Sequence, residues 1–363
     1  MRRKRLIALA VLPALLLAGD FFYWRLTVNL LRAGFENWTA GVRARGWDIR
    51  YGAVIIGGWP NAATLRIENL TIVTSGWGGT NIGDLRIRDV SWGSDLISFR
   101  IGLMRPNTME VTPSGLHPLR LNTGPPIPIS AGDIHLRLIL RPHMPPSTVD
   151  VGTVDVGTVD VDADTLTGAI PGFGQLTIGH LSGHADLRLN AGRDQAAVLF
   201  SVSAEPVTLP DGMRWDFGPE IGELALEGVL NGPLPLQGQT LVERAKSWRD
   251  AGGSLELHRL TISWGQARLD ATATLALDED LQPMGAGTAK ITGYGAALDA
   301  LAAKAVLSRS AAQAAKAVLS LLATTPDDGQ PEEVEVPLTL QFRTLSVRQV
   351  PLVRLPELDW PEH

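Results

Sequence analysis

The sequence contains no cysteine among its 363 residues, and only 19% of its residues are charged. Without cysteine, the chain cannot be a disulfide-stapled domain, a zinc finger or a thiol enzyme. The low charge and the 45% of hydrophobic residues exclude a disordered tail. The length is sufficient to bury one large hydrophobic core or two modest ones.

The common catalytic motifs are also missing. The sequence has no Gly-x-Ser-x-Gly nucleophile elbow, no phosphate loop that ends in Gly-Lys-Ser/Thr, no His-Glu-x-x-His and no Gly-x-Gly-x-x-Gly after a strand. A catalytic site needs convergent polar groups, and these motifs are the usual sources of them. We therefore expect a protein that is not an enzyme, with no catalytic, cofactor-binding or metal-binding residues and no cofactor.

Positive charge is concentrated at the N-terminus, and the rest of the chain is acidic. The formal net charge is −6, from 32 Lys and Arg residues against 38 Asp and Glu residues. Five of the basic residues but only one acidic residue lie within residues 1–25, which leaves 27 against 37, or −10, in residues 26–363. Because nucleic-acid phosphates would repel an acidic body, we expect no nucleic-acid partner.

The first 25 residues predict a membrane anchor. Four consecutive basic residues, 2–5, precede the uncharged stretch 6–19, and four aromatic residues follow at 21–24. The uncharged stretch alone fits a signal-peptide core, whereas the aromatic residues extend it to roughly the ~20 residues of a membrane span. No small-x-small cleavage site stands out, because Leu16 lies two positions before Ala18. An uncleaved anchor is therefore favoured.

The basic cluster predicts the orientation of that anchor. Positive residues before a span remain in the cytoplasm, so residues 26–363 would cross the membrane. We expect a single-pass inner-membrane protein with the bulk of its chain in the periplasm. A buried helix of a soluble protein is the alternative, but it does not account for four basic residues at its start.

From residue 47 onward, short segments alternate apolar and polar side chains and are punctuated by glycine and proline. A period of two predicts strands with one apolar face that is buried away from water. The pattern occurs in residues 64–72, 82–92, 134–140, 176–189, 197–202, 224–230, 255–277 and 334–350. The glycine-rich segment 75–79 predicts a corner between two strands. The predicted fold class is mainly β, with an extended, twisted antiparallel sheet in a body that comprises residues 47–363.

Three segments predict helices. Residues 26–46 continue the anchor as a connecting helix, with apolar residues such as Phe35 and Trp38 at helical spacing. Residues 240–249 form a short candidate that ends before Gly252. Residues 296–323 are rich in alanine and leucine and contain neither glycine nor proline, which favours helix strongly. The sequence leaves open whether this Ala-rich insertion is one helix or two helices broken near residues 308–310.

Histidine and aspartate are the remaining candidates for metal ligands. His180 and His184 have the i, i+4 spacing of helical metal ligands, but their segment predicts strand, on which four residues span ~13 Å. The tract 149–164 repeats Val-Asp-Val-Gly-Thr, and oxygen-rich tracts can hold calcium. A five-residue period places successive carboxylates on opposite faces of a strand, so a surface strand or linker is favoured. Its aspartates are Asp150, Asp155, Asp160, Asp162 and Asp164.

Several short motifs resemble a bacterial envelope family, the domain of unknown function twenty-one twenty-five. They are Gly46-Trp47-x-x-x-Tyr51-Gly52, Gly57-Gly58-Trp59-Pro60, Gly252-Gly253-Ser254-Leu255-x-Leu257, Trp264-Gly265, Val336-Pro337-Leu338 and Pro351-Leu352-x-x-Leu355-Pro356. The resemblance covers most of the chain. It departs at residues 341–343, where the family implies an acidic-Gly turn, so a tight hairpin is not expected there. The layout of one anchor and a long β-rich body also looks like AsmA-type proteins, for which lipid handling between membranes is proposed.

These features predict a membrane-anchored envelope protein with one of two functions. A long sheet must cover its apolar face with helix, with a second sheet or with acyl chains, since large exposed apolar patches mark binding sites. We therefore expect a protein that binds or conducts lipid along an apolar sheet face. The alternative is a ligand-free scaffold or assembly partner that uses its edge strands to bind other envelope proteins.

Overall fold

The computed structural model describes residues 2–44, 46–82, 85–142, 154–188, 190–212, 217–234, 240–303, 308–322, 333–347, 350–358 and 360. Within these residues the chain forms one sheet of 18 strands and four helices. The strand ladders in the sheet are antiparallel. The expected mainly β fold is therefore confirmed.

The sheet follows the order of the chain with few exceptions. Its first nine strands are β1 (Asp48–Arg50), β2 (Val54–Gly57), β3 (Ala62–Ile82), β4 (Leu85–Gly102), β5 (Arg105–Ser114), β6 (His117–Leu121), β7 (Ile127–Ser130), β8 (Asp133–Pro142) and β9 (Val154–Ile170). Strands β1 and β2 both pair with β3, and β3 pairs with β4. Strand β4 pairs with β5 and β6, which lead through β8 and β7 to β9.

The second half of the sheet is a meander in which each strand pairs with the next. Its strands are β10 (Gly174–Leu187), β11 (Ala196–Thr208), β12 (Glu220–Asn231), β13 (Ser254–Trp264), β14 (Ala267–Leu277), β15 (Pro283–Thr292), β16 (Glu333–Gln341), β17 (Thr344–Val347) and β18 (Val350–Arg354). Alternating apolar and polar residues account for these strands. The predicted segment 255–277 contains β13 and β14, and the predicted segment 334–350 contains nearly all of β16, all of β17 and the first residue of β18.

The predicted corner at residues 75–79 is wrong. Strand β3 continues through this segment, and its ladder with β4 shifts register between Ser75 and Thr80. Glycine inside a strand often marks a bulge or irregularity rather than a chain reversal. The reversal comes after Ile82, so the predicted strand 82–92 combines the last residue of β3 with the first eight residues of β4.

A tight hairpin joins β16 to β17, although the departure from the family motif argued against one. Gln341 pairs with Thr344, and the two residues between them, Phe342 and Arg343, have φ values of 49° and 62°. Two consecutive positive φ values are typical of the type I′ turn, whose twist matches that of the flanking strands. The strand pairing thus imposes a left-handed backbone on two residues that rarely adopt it.

The N-terminal helix, α1 (Arg2–Ala44), is continuous, so the predicted anchor and connecting helix form one element of 43 residues. Its buried side chains include Val28, Phe35 and Val42, which lie seven residues apart and hence on one face. Phe35 and Val42 pack against a cluster that includes Leu65 of β3. The helix therefore covers the N-terminal end of the sheet.

The predicted anchor, residues 1–25, lies partly outside the described part of the chain, which excludes residue 1 and the side chains of residues 2–14. Within the part that the structure describes, no helix combines the length and the apolar character of a membrane span. Trp24, at the end of the predicted anchor, donates its indole N–H to the Gly57 carbonyl of β2 at 3.2 Å.

The short helix predicted at residues 240–249 is confirmed as α2 (Leu241–Asp250). Thr240 and Glu243 form a capping box, in which each side chain accepts a hydrogen bond from the other residue's backbone N–H. Trp248 is buried and donates its indole N–H to the Asn231 carbonyl at 2.7 Å. This bond fixes α2 against the end of β12.

The Ala-rich insertion forms two helices, α3 (Tyr294–Ala303) and α4 (Arg309–Leu322). Their buried residues Leu298, Ala315 and Leu319 pack with residues of β15, β16 and β17. These helix and strand residues form the largest described core cluster. A smaller cluster lies around Ile221, in β11 and β12. Helices thus cover the sheet at both of its ends.

Candidate functional site: an apolar sheet face with a cavity

One face of the sheet carries three rows of apolar side chains that cross nine strands, β8 to β16. Directly paired residues lie on the same face of a sheet, so each row follows from the strand register. The first row is Ile134, Ala163, Leu181, Ala204, Leu224, Ile262, Leu269, Ile291 and Val334. The second row is Leu136, Val161, Gly183, Val202, Leu226, Leu260, Ala271, Ala289 and Val336.

The third row is Leu138, Val159, Ala185, Phe200, Gly228, Leu257, Ala273, Gly287 and Leu338. No position in these apolar rows carries a polar side chain. At ~4.8 Å for each of eight inter-strand steps, the rows extend about 38 Å along the sheet. They form a continuous hydrocarbon surface between the middle of the sheet and its C-terminal end.

The rows differ in exposure from one end to the other. Val334 and Val336, at the C-terminal end, are fully buried beneath α3 and α4. Val202, in the middle of the second row, is 45% exposed, and its neighbour Leu226 is only partly buried. The apolar face therefore begins in a half-open stretch of the sheet and continues under the two helices.

A cavity of about 470 Å³ lies between the sheet and these helices. It is partly open to the surface, and its volume is within the ~300–1,000 Å³ of small-molecule pockets. The sheet contributes residues of β13 to β18, and the roof contains Leu298 of α3 and Ala315 and Leu319 of α4. The small side chains of Ala289 and Ala315 leave space where the sheet and helix face each other.

Polar atoms contribute almost nothing to the cavity wall. The indole N–H of Trp264, one of the lining residues, is donated to the Gly218 carbonyl at 2.9 Å. Arg268 also lines the cavity, but its guanidinium donates to the carboxylates of Asp270 at 2.7 Å and Glu223 at 3.2 Å. Burial opposes ionisation of Asp270, yet the hydrogen bonds from Arg268 and Thr261 outweigh it and lower the pKa of Asp270.

The opposite face of the sheet carries paired histidine and aspartate residues. His180 and His184 lie on β10, as predicted, and Asp164 and Asp160 lie opposite them on β9. The His180 Nδ1 is 2.9 Å from an Asp164 carboxylate oxygen, and the His184 Nδ1 is 2.7 Å from one of Asp160. These hydrogen bonds raise the pKa of both imidazoles, with Asp186 adding to the shift at His184.

The described part of the aspartate tract lies on strand β9, which agrees with the surface strand that its pattern favoured. Its last three aspartates, Asp160, Asp162 and Asp164, are spaced by two residues and not by five, so they share the polar face. One ligand atom from each of Asp162, Asp164 and His180 lies within 4.8 Å of the others, a spacing that could hold a metal ion. Both aspartates are solvent-exposed, and the half-buried His180 lies within ion-pair distance of each of them, at 3.6 Å from Asp162 and 2.9 Å from Asp164.

The remaining candidate residues from the sequence do not converge on a site. His117 is buried and stacks on Trp92, and burial lowers its pKa although Asp95 opposes the shift. The exposed residues His135 and His258 pair with nearby carboxylates of their own strands. His143, Asp150 and His363 lie outside the described residues, as does the side chain of Asp155.

Sequence reasoning missed the cavity. Its lining residues come from eight elements between β13 and β18 and from Phe217, and no local pattern indicates that Ala315 faces Ala289. Sequence reasoning also missed the shared face of the three aspartates, although their spacing of two residues is the period of a strand.

The comparisons with known proteins identify a family. No curated protein and no solved structure matches the chain. The model of a family described as an uncharacterised protein conserved in bacteria, DUF2125, matches residues 24–356. The chain therefore belongs to the DUF2125 family of bacterial proteins.

Proposed function

We propose that this protein binds lipid acyl chains along its apolar sheet face and carries out no catalysis. The observation that carries the proposal is the set of three unbroken apolar rows that lead from the half-open stretch around Val202 into the cavity under α3 and α4. A surface of this kind offers dispersion contacts and burial to hydrocarbon, and it offers no hydrogen-bond partner to a polar ligand.

The energetics of the cavity support occupation by hydrocarbon. A buried water needs two to four polar partners, which these walls do not provide, so water would not fill the space well. Hydrocarbon that enters the cavity would instead bury apolar surface, which stabilises by about 25 cal/mol per Å² of area removed from water.

The N-terminal segment supports a tether to the inner membrane, with the body in the periplasm. Along α1, the side chains of Leu15, Leu16, Leu17, Phe21 and Phe22 are all at least half exposed. A run of exposed apolar side chains is unfavourable in water and favourable in lipid. The four basic residues at 2–5 would hold the start of the helix on the cytoplasmic side. On this proposal, the inner membrane and its lipids are the partners of the protein.

In-cell photo-crosslinking tests this function on the full chain. The photoreactive amino acid p-benzoylphenylalanine is introduced at Val202, on the apolar face, or at Ser201, its neighbour on the opposite face. After irradiation of cells, mass spectrometry of the purified protein is expected to find a phospholipid or fatty-acid adduct at position 202 and none at position 201. Adducts only to other proteins at position 202 would favour the ligand-free scaffold instead.

A further inference from the structure

We infer that the cavity under α3 and α4 holds the hydrocarbon end of a single lipid chain while the headgroup stays outside, so that lipids are selected by chain length and not by headgroup. The inference rests on the proposed function and adds to it the property by which the protein selects among lipids. It concerns the cavity at the covered end of the apolar rows, whereas the crosslinking test above probes their half-open stretch around Val202.

Polar atoms contribute almost nothing to the cavity wall, so a headgroup inside it would meet few partners. The lining residues with polar side-chain groups are Trp264, Arg268 and Tyr294: the Trp264 indole N–H is donated to Gly218, the Arg268 guanidinium is held by Asp270 and Glu223, and Tyr294 is buried. A phosphate or carboxylate placed between these walls would lose its hydration without gaining hydrogen bonds, which is strongly unfavourable. A charged headgroup is therefore excluded from the interior.

The size and position of the cavity favour the end of a single chain as its occupant. A volume of about 470 Å³ lies near the lower end of the ~300–1,000 Å³ typical of ligand pockets, which suits one chain better than the whole of a two-chain lipid. The cavity lies at the buried end of the apolar rows, where Ala289 and Val336 continue the second row beneath α4. A chain that follows the rows reaches the cavity with its methyl end first.

The expected selectivity follows from burial of methylene groups. Each methylene that enters the cavity should tighten binding about fourfold, and methylenes beyond the cavity should add less, because the open part of the rows covers only one side of the chain. Headgroups of different charge, attached to chains of equal length, should bind within about threefold of one another, since none of them contacts the cavity wall.

The test uses the full-length protein, delipidated and kept soluble in amphipol. The fluorescent fatty acid cis-parinaric acid is the probe, and it is displaced first by saturated fatty acids of increasing length. It is then displaced by a carboxylate, an alcohol, a phosphocholine and a trimethylammonium that carry the same 14-carbon chain. The variant A315W places a large side chain in the cavity roof, and A314W places the same side chain at the adjacent exposed position of α4.

A steep dependence on chain length, a flat dependence on headgroup and loss of probe binding in A315W but not in A314W would support the inference. A tenfold or larger preference among the four headgroups would overturn it and leave the proposed function intact. Equal loss of binding in A315W and A314W would overturn the assigned location. Failure of the wild-type protein to bind the probe or any competitor would overturn the proposed function itself. The chain-length and headgroup series need no variant, so they remain decisive if A315W does not fold.

Discussion

Replacing Ala315 by leucine should stabilise the lipid-free protein, because the side chain would extend into free space. Leucine adds three carbon atoms to a position that is 5% exposed and lines the cavity. Their burial is worth about 2.4 kcal/mol at ~0.8 kcal/mol per carbon, from which fixing the leucine rotamer subtracts about 0.5–1 kcal/mol. The free energy of unfolding should therefore rise by about 1.5 kcal/mol.

Thermal melting of the delipidated full-length protein, followed by near-ultraviolet circular dichroism, would measure this effect. We expect A315L to raise the melting temperature by roughly 2–4 °C. The control A314L adds the same side chain at an exposed position of the same helix and should change stability by less than about 0.5 kcal/mol. Addition of a 14-carbon fatty acid should stabilise the wild-type protein more than A315L.

The contrary result is destabilisation of A315L by about 1–3 kcal/mol, the usual effect of overpacking, while A314L remains neutral. It would mean that no usable space exists next to Ala315.

Three further changes test other parts of the structure. F342N should raise the free energy of unfolding by about 1 kcal/mol, because asparagine tolerates the positive φ at this 84% exposed position better than phenylalanine. Urea denaturation measures the effect, and an unchanged or lower urea midpoint would contradict the hairpin geometry. D164N should lower the pKa of His180 towards its ordinary value of 6.5 in an NMR titration. Since Asp164 raises the folded-state pKa, the stabilisation by His180 is fully present below pH 6.5 and is lost as the pH rises through that raised value; an unchanged titration in D164N would disprove the pairing. G228A should lower the free energy of unfolding by about 1–3 kcal/mol, because its Cβ would lie 2.6 Å from the Glu256 carbonyl oxygen and 3.0 Å from the Phe200 ring. An unchanged free energy of unfolding would mean that the third row is less tightly packed than the structure indicates.

Much of the fold could be predicted from local patterns. Alternating side chains indicated the strands of the body, and high alanine content indicated helix in residues 296–323, because both signals act over a few residues. The bulge near Ser75 and the turn at Phe342 could not be predicted in the same way. In both places, pairing with a neighbouring strand overrides the local preference of the residues.

The candidate site was harder to predict because it depends on contacts that are distant in sequence. That an apolar face exists follows from strand alternation, and it was expected. The cavity arises where small residues of the sheet and of α4 face each other, as Ala289 and Ala315 do, and their sequence separation hides this arrangement. The ion pairs of the polar face were hard to predict for the same reason, because the partner of His180 is Asp164 on the preceding strand.

An experimental structure of the full-length protein, purified from its own cells without added lipid, would show whether hydrocarbon occupies the cavity. We expect elongated, unbranched density in the space that Ala315 of α4 and Ala289 of β15 line, continuous with the apolar rows. A structure in which protein side chains fill the space that Ala289 and Ala315 line, with no such density, would contradict this prediction.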